Sequence, residues 1–458
     1  MLENVSEDGV SILNLISLLG LFVMLGFAWL MSSHKTRVNW KLVAMGLGLQ
    51  LLLAAILFQS QYWTFGGVFP EGILFAGVEF FFREITLYVE SGAGFVFRAN
   101  GIVEGNPTDP MTLVKTFAFG VLPTVIFFAA LMSILYHIGI MTRIIQFMAW
   151  IMQKTLGTSG AESLAAAANV LVGHTEAPLV VRPYIATMTR SELNALMVGG
   201  FATITGSLMA IFVAQGISAG HILTACIISA PAALVIAKIM QPEIDEPETL
   251  GRVDAKTEKT ATNVIEAAAV GASDGVKLAI NIAAMLIAFL ALIALVDSLL
   301  VGFGNLVEYA LNPFLGAEGK VDFEWSLNNL FATAFYPLAM IMGIETGDCS
   351  IAGQLLGKKM VVNEFVAYLD LGTIINEMSE KGASAPQAIS RRTEIILTYA
   401  LAGFSNFGAI GIQLGGIGPL APNRRSDLAQ LGFRAMLGGM LACCMTACIA
   451  GMMYGLIR

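Results

Sequence analysis

The chain alternates between long stretches without charged side chains and shorter polar segments. Seven of the stretches that lack Asp, Glu, Lys and Arg are interpreted as spans, and they cover residues 9–34, 42–70, 116–142, 193–237, 278–296, 395–423 and 435–457. The fourth is 45 residues long and has a glycine-rich break at residues 216–220. Because about 20 apolar residues cross the ~30 Å hydrocarbon core of a bilayer, the pattern predicts an all-α polytopic membrane protein with eight transmembrane helices.

The composition excludes a soluble enzyme. Hydrophobic residues make up 56% of the chain and charged residues only 13%, with a mean hydropathy of +0.76. Soluble chains carry about 25% charged residues, so this chain would expose large apolar patches in water. We therefore expect a lipid bilayer around it. The net charge of -8, without a basic tail, argues against a nucleic-acid partner.

Basic residues near the ends of the stretches predict the orientation. The loop at residues 32–41 contains Lys35, Arg37 and Lys41 and no acid, which predicts a cytoplasmic loop in a cell (inner) membrane protein. The first stretch is too long for a signal peptide, so we expect it to be retained. Eight spans then place both the N-terminus and the C-terminus on the outer side. Arg391 and Arg392 would face the outside, against the rule.

A hydrophilic segment at residues 240–276 divides the chain. We expect N-terminal scaffold spans and an interfacial helix at residues 1–115 and a first repeat at 116–239. The hydrophilic segment would be a cytoplasmic linker, followed by a second, inverted repeat at 277–458.

The two repeats share a pattern that predicts interrupted helices. Glu192 precedes Phe201 of a Gly-Phe-x-polar element by nine residues, and Glu394 precedes Phe404 of a similar element by ten. Each element lies inside an apolar stretch. Glycines of this kind also serve close helix packing, but two corresponding breaks in inverted repeats are typical of secondary transporters with a site near the membrane midplane.

Each element is preceded by apolar segments too short to cross a membrane. Residues 160–172 and 179–187 flank one polar tip, and residues 350–362 and 366–375 flank another. We interpret each set as a re-entrant hairpin, because non-helical backbone survives at membrane depth only beside protein or a water-filled cavity.

Polar side chains at these tips and breaks are the candidate functional residues. Glu176 and Glu364 are acids at the hairpin tips, and an acid within a membrane indicates a functional site by default. Asn169 and Thr203 offer neutral oxygens, and unwound backbone there offers carbonyls, a set that suits sodium. The alternative from the residues alone is that Asn169 and Thr203 cap broken helices.

Four motifs resemble signature elements of the concentrative nucleoside transporters. They are Asn-Val-Leu-Val-Gly-His-Thr-Glu-Ala-Pro-Leu at 169–179, Gly-Gly-Phe-Ala-Thr-Ile-Thr-Gly-Ser at 199–207, Asn-Glu-Phe-Val-Ala-Tyr at 363–368 and Gly-Phe-Ser-Asn-Phe at 403–407. They occur in the family's order. The resemblance implies a homotrimer that imports nucleosides with sodium by an elevator-like movement.

The resemblance also implies roles for individual residues. The implied contacts to the base are His174, Thr175 and Glu176, and those around the ribose are Glu364, Asn406 and Phe404. The implied sodium ligands are the side chains of Asn169 and Thr203 and the carbonyls of Val172, Thr203 and Ile204.

Two positions depart from the family pattern. His174 stands where the family usually has Gln, and Ala409 stands where it has a hydroxyl residue near the ribose. Neutral His offers one donor and one acceptor from a ring of different shape, so the preferred base can differ. Loss of a hydroxyl at Ala409 would weaken ribose binding by about 0.5–1.5 kcal/mol unless Ser405 compensates.

Other functions remain open at this point. Histidine titrates near neutral pH, so His174 allows a proton-coupled symporter, with H⁺ replacing or accompanying Na⁺. Acids and a histidine at membrane depth also fit an intramembrane enzyme, although the chain has no HExxH motif. A channel or a structural scaffold would not need two interrupted, inverted repeats.

Overall fold

The computed structural model describes residues 11–60, 72–97, 118, 122–174, 176–251, 261–315 and 324–455. Over these residues the regular structure is helical throughout, which confirms the all-α prediction. Helices satisfy their own backbone hydrogen bonds, as a bilayer demands of an open chain.

Eighteen α-helices follow one another along the described residues. The first nine are α1 (Ile12–Leu30), α2 (Trp40–Ser60), α3 (Ile73–Phe97), α4 (Leu122–His137), α5 (Ile140–Leu156), α6 (Gly160–Asn169), α7 (Ala177–Val180), α8 (Arg182–Ile185) and α9 (Arg190–Phe201). The others are α10 (Gly206–Ala214), α11 (Ala219–Met240), α12 (Val264–Leu315), α13 (Leu327–Ile341), α14 (Cys349–Val361), α15 (Glu364–Lys381), α16 (Arg391–Ala400), α17 (Phe407–Ile417) and α18 (Arg425–Met453).

The helices account for the eight predicted spans. Within the described residues, five helices are long and apolar enough to cross a membrane, and these are α1, α2, α11, α12 and α18. Helices α4 and α5 pass the same test as a pair bent by 75°. The remaining two spans are the interrupted pairs α9–α10 and α16–α17, whose halves are each too short to cross alone.

Both interruptions are stabilised by side-chain caps. Helix α9 ends at Phe201, and α10 begins after Thr205, whose side-chain oxygen accepts a hydrogen bond from the Leu208 N–H at 3.2 Å. In the second pair, Asn406 caps α17 by accepting from the Ala409 N–H at 2.8 Å. N-cap oxygens satisfy amides that an internal helix start would otherwise leave unpaired in an apolar setting.

The segments ahead of the interrupted helices form two hairpins. In hairpin 1, α6 is followed by the short helices α7 and α8; in hairpin 2, α14 is followed by α15. Helix α6 has only ten residues, all buried, which spans about 15 Å and cannot cross the bilayer. The predicted re-entrant character of these segments therefore agrees with their length.

Each hairpin begins beside the start of its own interrupted helix. Ahead of α6, the Ser159 hydroxyl donates to Glu192 of α9 at 2.5 Å. Ahead of α14, Asp348 accepts from the backbone N–H of Ser390 at 2.9 Å, next to α16. The same arrangement therefore recurs in both repeats.

A buried charge cluster fixes the first of these arrangements. The Lys238 ammonium at the end of α11 lies 2.6 Å from Glu162 and 3.0 Å from Glu243, and it donates to the Ser191 hydroxyl at 3.0 Å. Glu162 also closes a capping box with Ser159 at the start of α6. Hairpin 1, α9 and α11 therefore share one electrostatic anchor.

Helix α12 is much longer than its charge-free stretch predicts. The stretch covers residues 278–296, whereas the helix has 52 residues, about 78 Å at 1.5 Å per residue. The charges of Lys277 and Asp297 end the charge-free stretch but not the helix. The end of the hydrophilic segment predicted at 240–276 is accordingly helical from Val264 onward, and its residues 252–260 lie outside the described part.

Of the two basic residues that opposed the orientation rule, Arg391 is exposed and pairs with Glu394, whereas Arg392 is buried. Its guanidinium donates to the Gly343 carbonyl at 2.8 Å, to Asn14 at 2.6 Å and to Ser17 at 2.9 Å. Arg392 therefore joins α16 to α1 and does not act as a free loop charge.

Candidate functional site

The two helix interruptions and the tip of hairpin 1 meet inside the protein. The Phe404 N–H in the second interruption donates to the Thr203 carbonyl in the first, at 3.3 Å. The Gly206 N–H at the start of α10 donates to the Leu171 carbonyl in the hairpin tip, also at 3.3 Å. Elements from both repeats therefore form one site.

Hairpin 2 contributes a buried carboxylate to this site. Glu364 is 3% exposed and begins α15, where Asn363 caps the helix by accepting from the Val366 N–H at 2.9 Å. One carboxylate oxygen of Glu364 accepts from Asn406 Nδ2 at 2.9 Å. The tip of hairpin 2 and the second interruption are thus joined by a charge-assisted hydrogen bond.

The tip of hairpin 1 places the imidazole ring of His174 against the aromatic ring of Phe404 in the second interruption. The ring centroids of His174 and Phe404 lie 4.2 Å apart, with the planes at 67°. His174 is buried, and neither ring nitrogen has a hydrogen-bond partner in the described structure. An unpaired buried polar group costs about 1–3 kcal/mol, so His174 is poised to bind a polar ligand.

The two remaining predicted base contacts differ from His174. Thr175 lies outside the described residues. Glu176 is exposed at the N-cap of α7. Tyr136 of α4 and the like-charged Asp274 of α12 lie close enough to Glu176 to interact with it electrostatically. The Glu176 side chain is therefore directed towards these helices and is more exposed than the buried Glu364.

The predicted sodium ligands gather on one side of the site. Asn169 is 1% exposed, and neither its Oδ1 nor its Nδ2 has a partner among the described atoms. The Thr203 hydroxyl donates to the Gly199 carbonyl at 3.0 Å. Val172 and Ile204 are buried in the hairpin tip and the first interruption.

Asn169 does not cap a broken helix, so one of the two alternatives for it is removed. The N-caps at the interruptions are Thr205 and Asn406. An unpaired amide oxygen next to unwound backbone is a donor set that suits a hard cation such as sodium.

Two adjacent glycines make room for the polar side chains. A Cβ atom at Gly199 would lie 2.9 Å from Asn169 Nδ2. A Cβ atom at Gly200 would lie 2.7 Å from both His174 Cβ and Gln413 Nε2. Any larger residue would push these side chains aside, which explains why the first repeat has Gly-Gly ahead of Phe201.

Two polar residues of the site were missed in the sequence. Gln413 of α17 is 1% exposed, and it lies seven residues after Asn406, a spacing that places both on one helix face. Lys359 of α14 is fully buried and donates to the Ala400 carbonyl, at the end of α16, at 2.7 Å. In the sequence, Gln413 could have been recognised as a lone amide in an apolar stretch, and Lys359 as a lysine just ahead of a hairpin tip.

The structure also describes Ala409, which stands where the family has a hydroxyl residue near the ribose. Ala409 is buried and uses its N–H to bind Asn406. The Ser405 hydroxyl contacts Met440 Sδ of α18 at 3.8 Å. Ser405 therefore faces α18, and it does not replace a hydroxyl at position 409.

Family models match most of the chain in order. The model for the N-terminus of a Na⁺-dependent nucleoside transporter matches residues 19–100, a nucleoside-recognition gate model matches residues 118–219, and the corresponding C-terminal model matches residues 221–451.

Curated relatives are more than a third identical to the chain over the aligned residues. An uncharacterized transporter of Haemophilus influenzae is 40% identical over 442 residues, which cover 96% of this chain and 98% of that one. Solute carrier family 28 member 3 of Mus musculus is 39% identical over 96% of this chain. Sodium/nucleoside cotransporter 1 of the same species is 38% identical. The chain spans only 59% and 64% of the length of these two mouse relatives.

Solved structures match the whole fold. The transporter CNTnw in an inward-facing, substrate-bound state superposes with a TM-score of 0.82 and 37% identity, covering 97% of this chain and 98% of that one. A variant of CNTnw in an outward-facing state gives a TM-score of 0.84 and 36% identity, covering 97% of this chain and 99% of that one. These relatives are transporters, which argues against an intramembrane enzyme. The chain belongs to the concentrative nucleoside transporter family.

Proposed function

We propose that this protein is a secondary active symporter that imports nucleosides, driven by a sodium gradient. The observation that carries the proposal is a pair of buried side chains on hairpin 1, Asn169 and His174, whose polar side-chain atoms have no hydrogen-bond partner among the described atoms. Each would recover the cost of burial only when a ligand binds. A cation suits the amide oxygen of Asn169, and a hydrogen-bonding base suits the ring of His174.

The sodium ion would be bound by oxygens of hairpin 1 and the first interruption. Asn169 and Thr203 meet at Gly199, where Asn169 lies against the glycine and Thr203 donates to its carbonyl. Carbonyls of Val172, Thr203 and Ile204 would complete the set. Binding there would order the tip against α10, and through this coupling sodium would raise the affinity for the nucleoside.

The nucleoside would lie between the two hairpin tips. Its base would contact His174, Thr175 and Glu176. Its ribose hydroxyls would donate to Glu364, which Asn406 already orients.

The Phe404 ring lies against His174 in the described structure. Entry of a base would require these rings to separate, and Phe404 would then line the pocket.

Alternating access would follow from movement of the hairpins and interrupted helices as one body. The Lys238 cluster and the Ser390–Asp348 bond fasten each hairpin to its interrupted helix. We propose an elevator movement of this body against scaffold helices of a homotrimer, with residues 1–115 in the scaffold. Residues 116–239 and 277–458 would form the two repeats, joined by a linker that includes residues 240–276.

The protein would reside in the cell (inner) membrane with both termini outside. This orientation places the basic loop at residues 32–41 and the acidic linker in the cytoplasm, in keeping with the distribution of basic residues.

Sodium-dependent binding of nucleosides tests this function. Thermal unfolding of the purified protein in detergent is measured with sodium or choline chloride, across a titration of adenosine or uridine. Sodium and nucleoside should each raise the other's apparent affinity by the same factor, because linkage is reciprocal. Nucleoside stabilisation that is identical in sodium and choline would contradict sodium coupling.

Two glutamate variants test the substrate site. Glu364→Gln should abolish nucleoside stabilisation with little loss of folded protein, because the amide is similar in size but cannot accept with both terminal atoms. Glu380→Gln changes an exposed residue of the same helix and should behave like the native protein. Native nucleoside binding by Glu364→Gln would remove Glu364 from the site.

A further inference from the structure

Gln413 is a buried amide that the proposed sodium and ribose contacts do not use. It lies within α17, in the segment Ile-Gly-Ile-Gln-Leu-Gly-Gly of residues 410–416. Asn406, Ala409 and Gln413 recur at intervals of three and four residues, so they share one helix face. The face that begins at the Glu364 contact therefore continues to Gln413.

A backbone carbonyl fixes the orientation of this amide. Gln413 Nε2 donates to the Met197 carbonyl of α9 at 3.1 Å. A carbonyl only accepts, so the nitrogen of Gln413 must face it and the amide cannot be flipped. Gln413 Oε1 is left as a buried acceptor without a hydrogen-bond partner among the described atoms.

Gln413 and His174 are neighbours across Gly200. The bare Cα of Gly200 leaves room for both, since a Cβ atom there would lie 2.7 Å from Gln413 Nε2 and 2.7 Å from His174 Cβ. Within the described part of the chain, neither nitrogen of His174 has a hydrogen-bond partner. One small region thus holds an unpaired acceptor of fixed orientation and a ring that supplies one donor and one acceptor when neutral.

We propose that Gln413 is a specificity-determining residue that reads the nucleobase together with His174, and that the pair selects bases with an exocyclic amino group. The proposal rests on the proposed nucleoside transport and deepens it. An amino group donates to Gln413 Oε1, while the adjacent ring nitrogen of the base accepts from His174. Adenine and cytosine carry this neighbouring donor and acceptor.

Bases with a carbonyl at the same position do not match. Uracil and hypoxanthine would direct an oxygen at Gln413 Oε1, so two acceptors would face each other away from water. A site built to bind an N–H group rejects analogues that lack it far more strongly than a hydrophobic pocket rejects a size change. We therefore expect discrimination of about tenfold or more.

Competition among matched nucleosides tests the proposal. Uptake of labelled adenosine into proteoliposomes is inhibited by unlabelled adenosine, inosine, cytidine and uridine. Adenosine and inosine differ at one position of the purine ring, and cytidine and uridine differ at one position of the pyrimidine ring. The half-inhibitory concentrations of inosine and uridine should exceed those of adenosine and cytidine by about tenfold or more.

A variant and its control assign the discrimination to Gln413. Gln413→Met preserves length without the amide and should reduce both ratios to about threefold or less, since no acceptor remains to favour the amino group. Gln50→Met is the matched control, because Gln50 of α2 is also buried and both of its amide atoms lack a partner in the described residues. It should keep the native ratios.

The outcomes separate this proposal from the proposed function. Native protein that transports all four nucleosides with ratios within twofold would overturn the role of Gln413 and leave nucleoside transport standing. Native ratios that persist in Gln413→Met would also overturn it. Absence of competition by every nucleoside would contradict nucleoside transport itself. Native ratios within twofold overturn the proposal even when Gln413→Met does not fold.

Discussion

Asn406 has two separate roles in the structure, and substitutions can separate them. Its Oδ1 caps α17 through the Ala409 N–H at 2.8 Å, and its Nδ2 donates to Glu364 at 2.9 Å. Asn406→Ser keeps an N-cap oxygen but is too short to reach the carboxylate. Asn406→Ala removes both contacts.

The two contacts have different expected magnitudes and readouts. A hydrogen bond to a charged group contributes about 1.5–3 kcal/mol, or about tenfold to a hundredfold in affinity. Both variants of Asn406 should therefore bind nucleoside at least about tenfold more weakly, because Glu364 loses the donor that orients it. Loss of the cap costs about 1 kcal/mol of stability, so Asn406→Ala should be less stable than Asn406→Ser by about that amount.

Binding and unfolding are measured on the same samples. Nucleoside affinity comes from isothermal titration in saturating sodium, and stability comes from denaturant unfolding in detergent. Asn376→Ser, at an exposed position of α15, is the control and should bind as the native protein does. Native nucleoside affinity in Asn406→Ser would refute the orienting role of this bond, and equal stability of the two Asn406 variants would refute the capping role.

Three further predictions concern the anchor, the glycine pair and the cation ligands. Lys238→Met should destabilise the protein by about 3–5 kcal/mol in denaturant unfolding, since it leaves buried carboxylates unpaired. Adding Glu162→Gln should recover part of this loss of stability. A native unfolding midpoint for Lys238→Met would contradict a structural role of Lys238. Gly200→Ala should weaken nucleoside binding, measured by titration, because its methyl group would press on two polar side chains of the site. Gly48→Ala is the control, since that position has open space around it, and it should bind nucleoside normally. Equal binding by the two variants would argue against close packing around Gly200. Asn169→Ala should require a higher sodium concentration for half-maximal uptake, and an unchanged sodium response would remove Asn169 from the cation site.

The sequence contained enough information for the architecture of both repeats. Charge-free stretches located the spanning helices, and the Gly-Phe-x-polar elements located the interruptions after Phe201 and before Asn406. These predictions succeeded because glycine and small polar residues in an apolar stretch indicate where a helix is interrupted. The free backbone groups at such an interruption need side-chain caps.

Features that depend on tertiary contacts were not predictable in this way. The length of α12 was underestimated because charged residues end an apolar stretch without ending a helix. Lys359 follows Lys358 in the sequence, yet Lys358 pairs with Asp370 near the surface, whereas Lys359 is buried against a carbonyl. Only packing distinguishes the two lysines.

Gln413 shows the same limit within the site. A single glutamine in an apolar stretch carries no charge and matches no motif. Its significance depends on Met197, Gly200 and His174, which are more than 200 residues away in the sequence and come together only in the folded protein. A search for polar residues on the helix face that starts at Asn406 would have found it.

Gradient-driven uptake tests the central claim most directly. Labelled nucleoside is supplied outside proteoliposomes under an inward sodium gradient or an inward proton gradient, at matched membrane voltage. The account predicts accumulation with the sodium gradient alone, and weaker accumulation at low sodium in Asn169→Ala. Accumulation driven by protons without sodium would contradict it and would assign coupling to His174 or a carboxylate of the site.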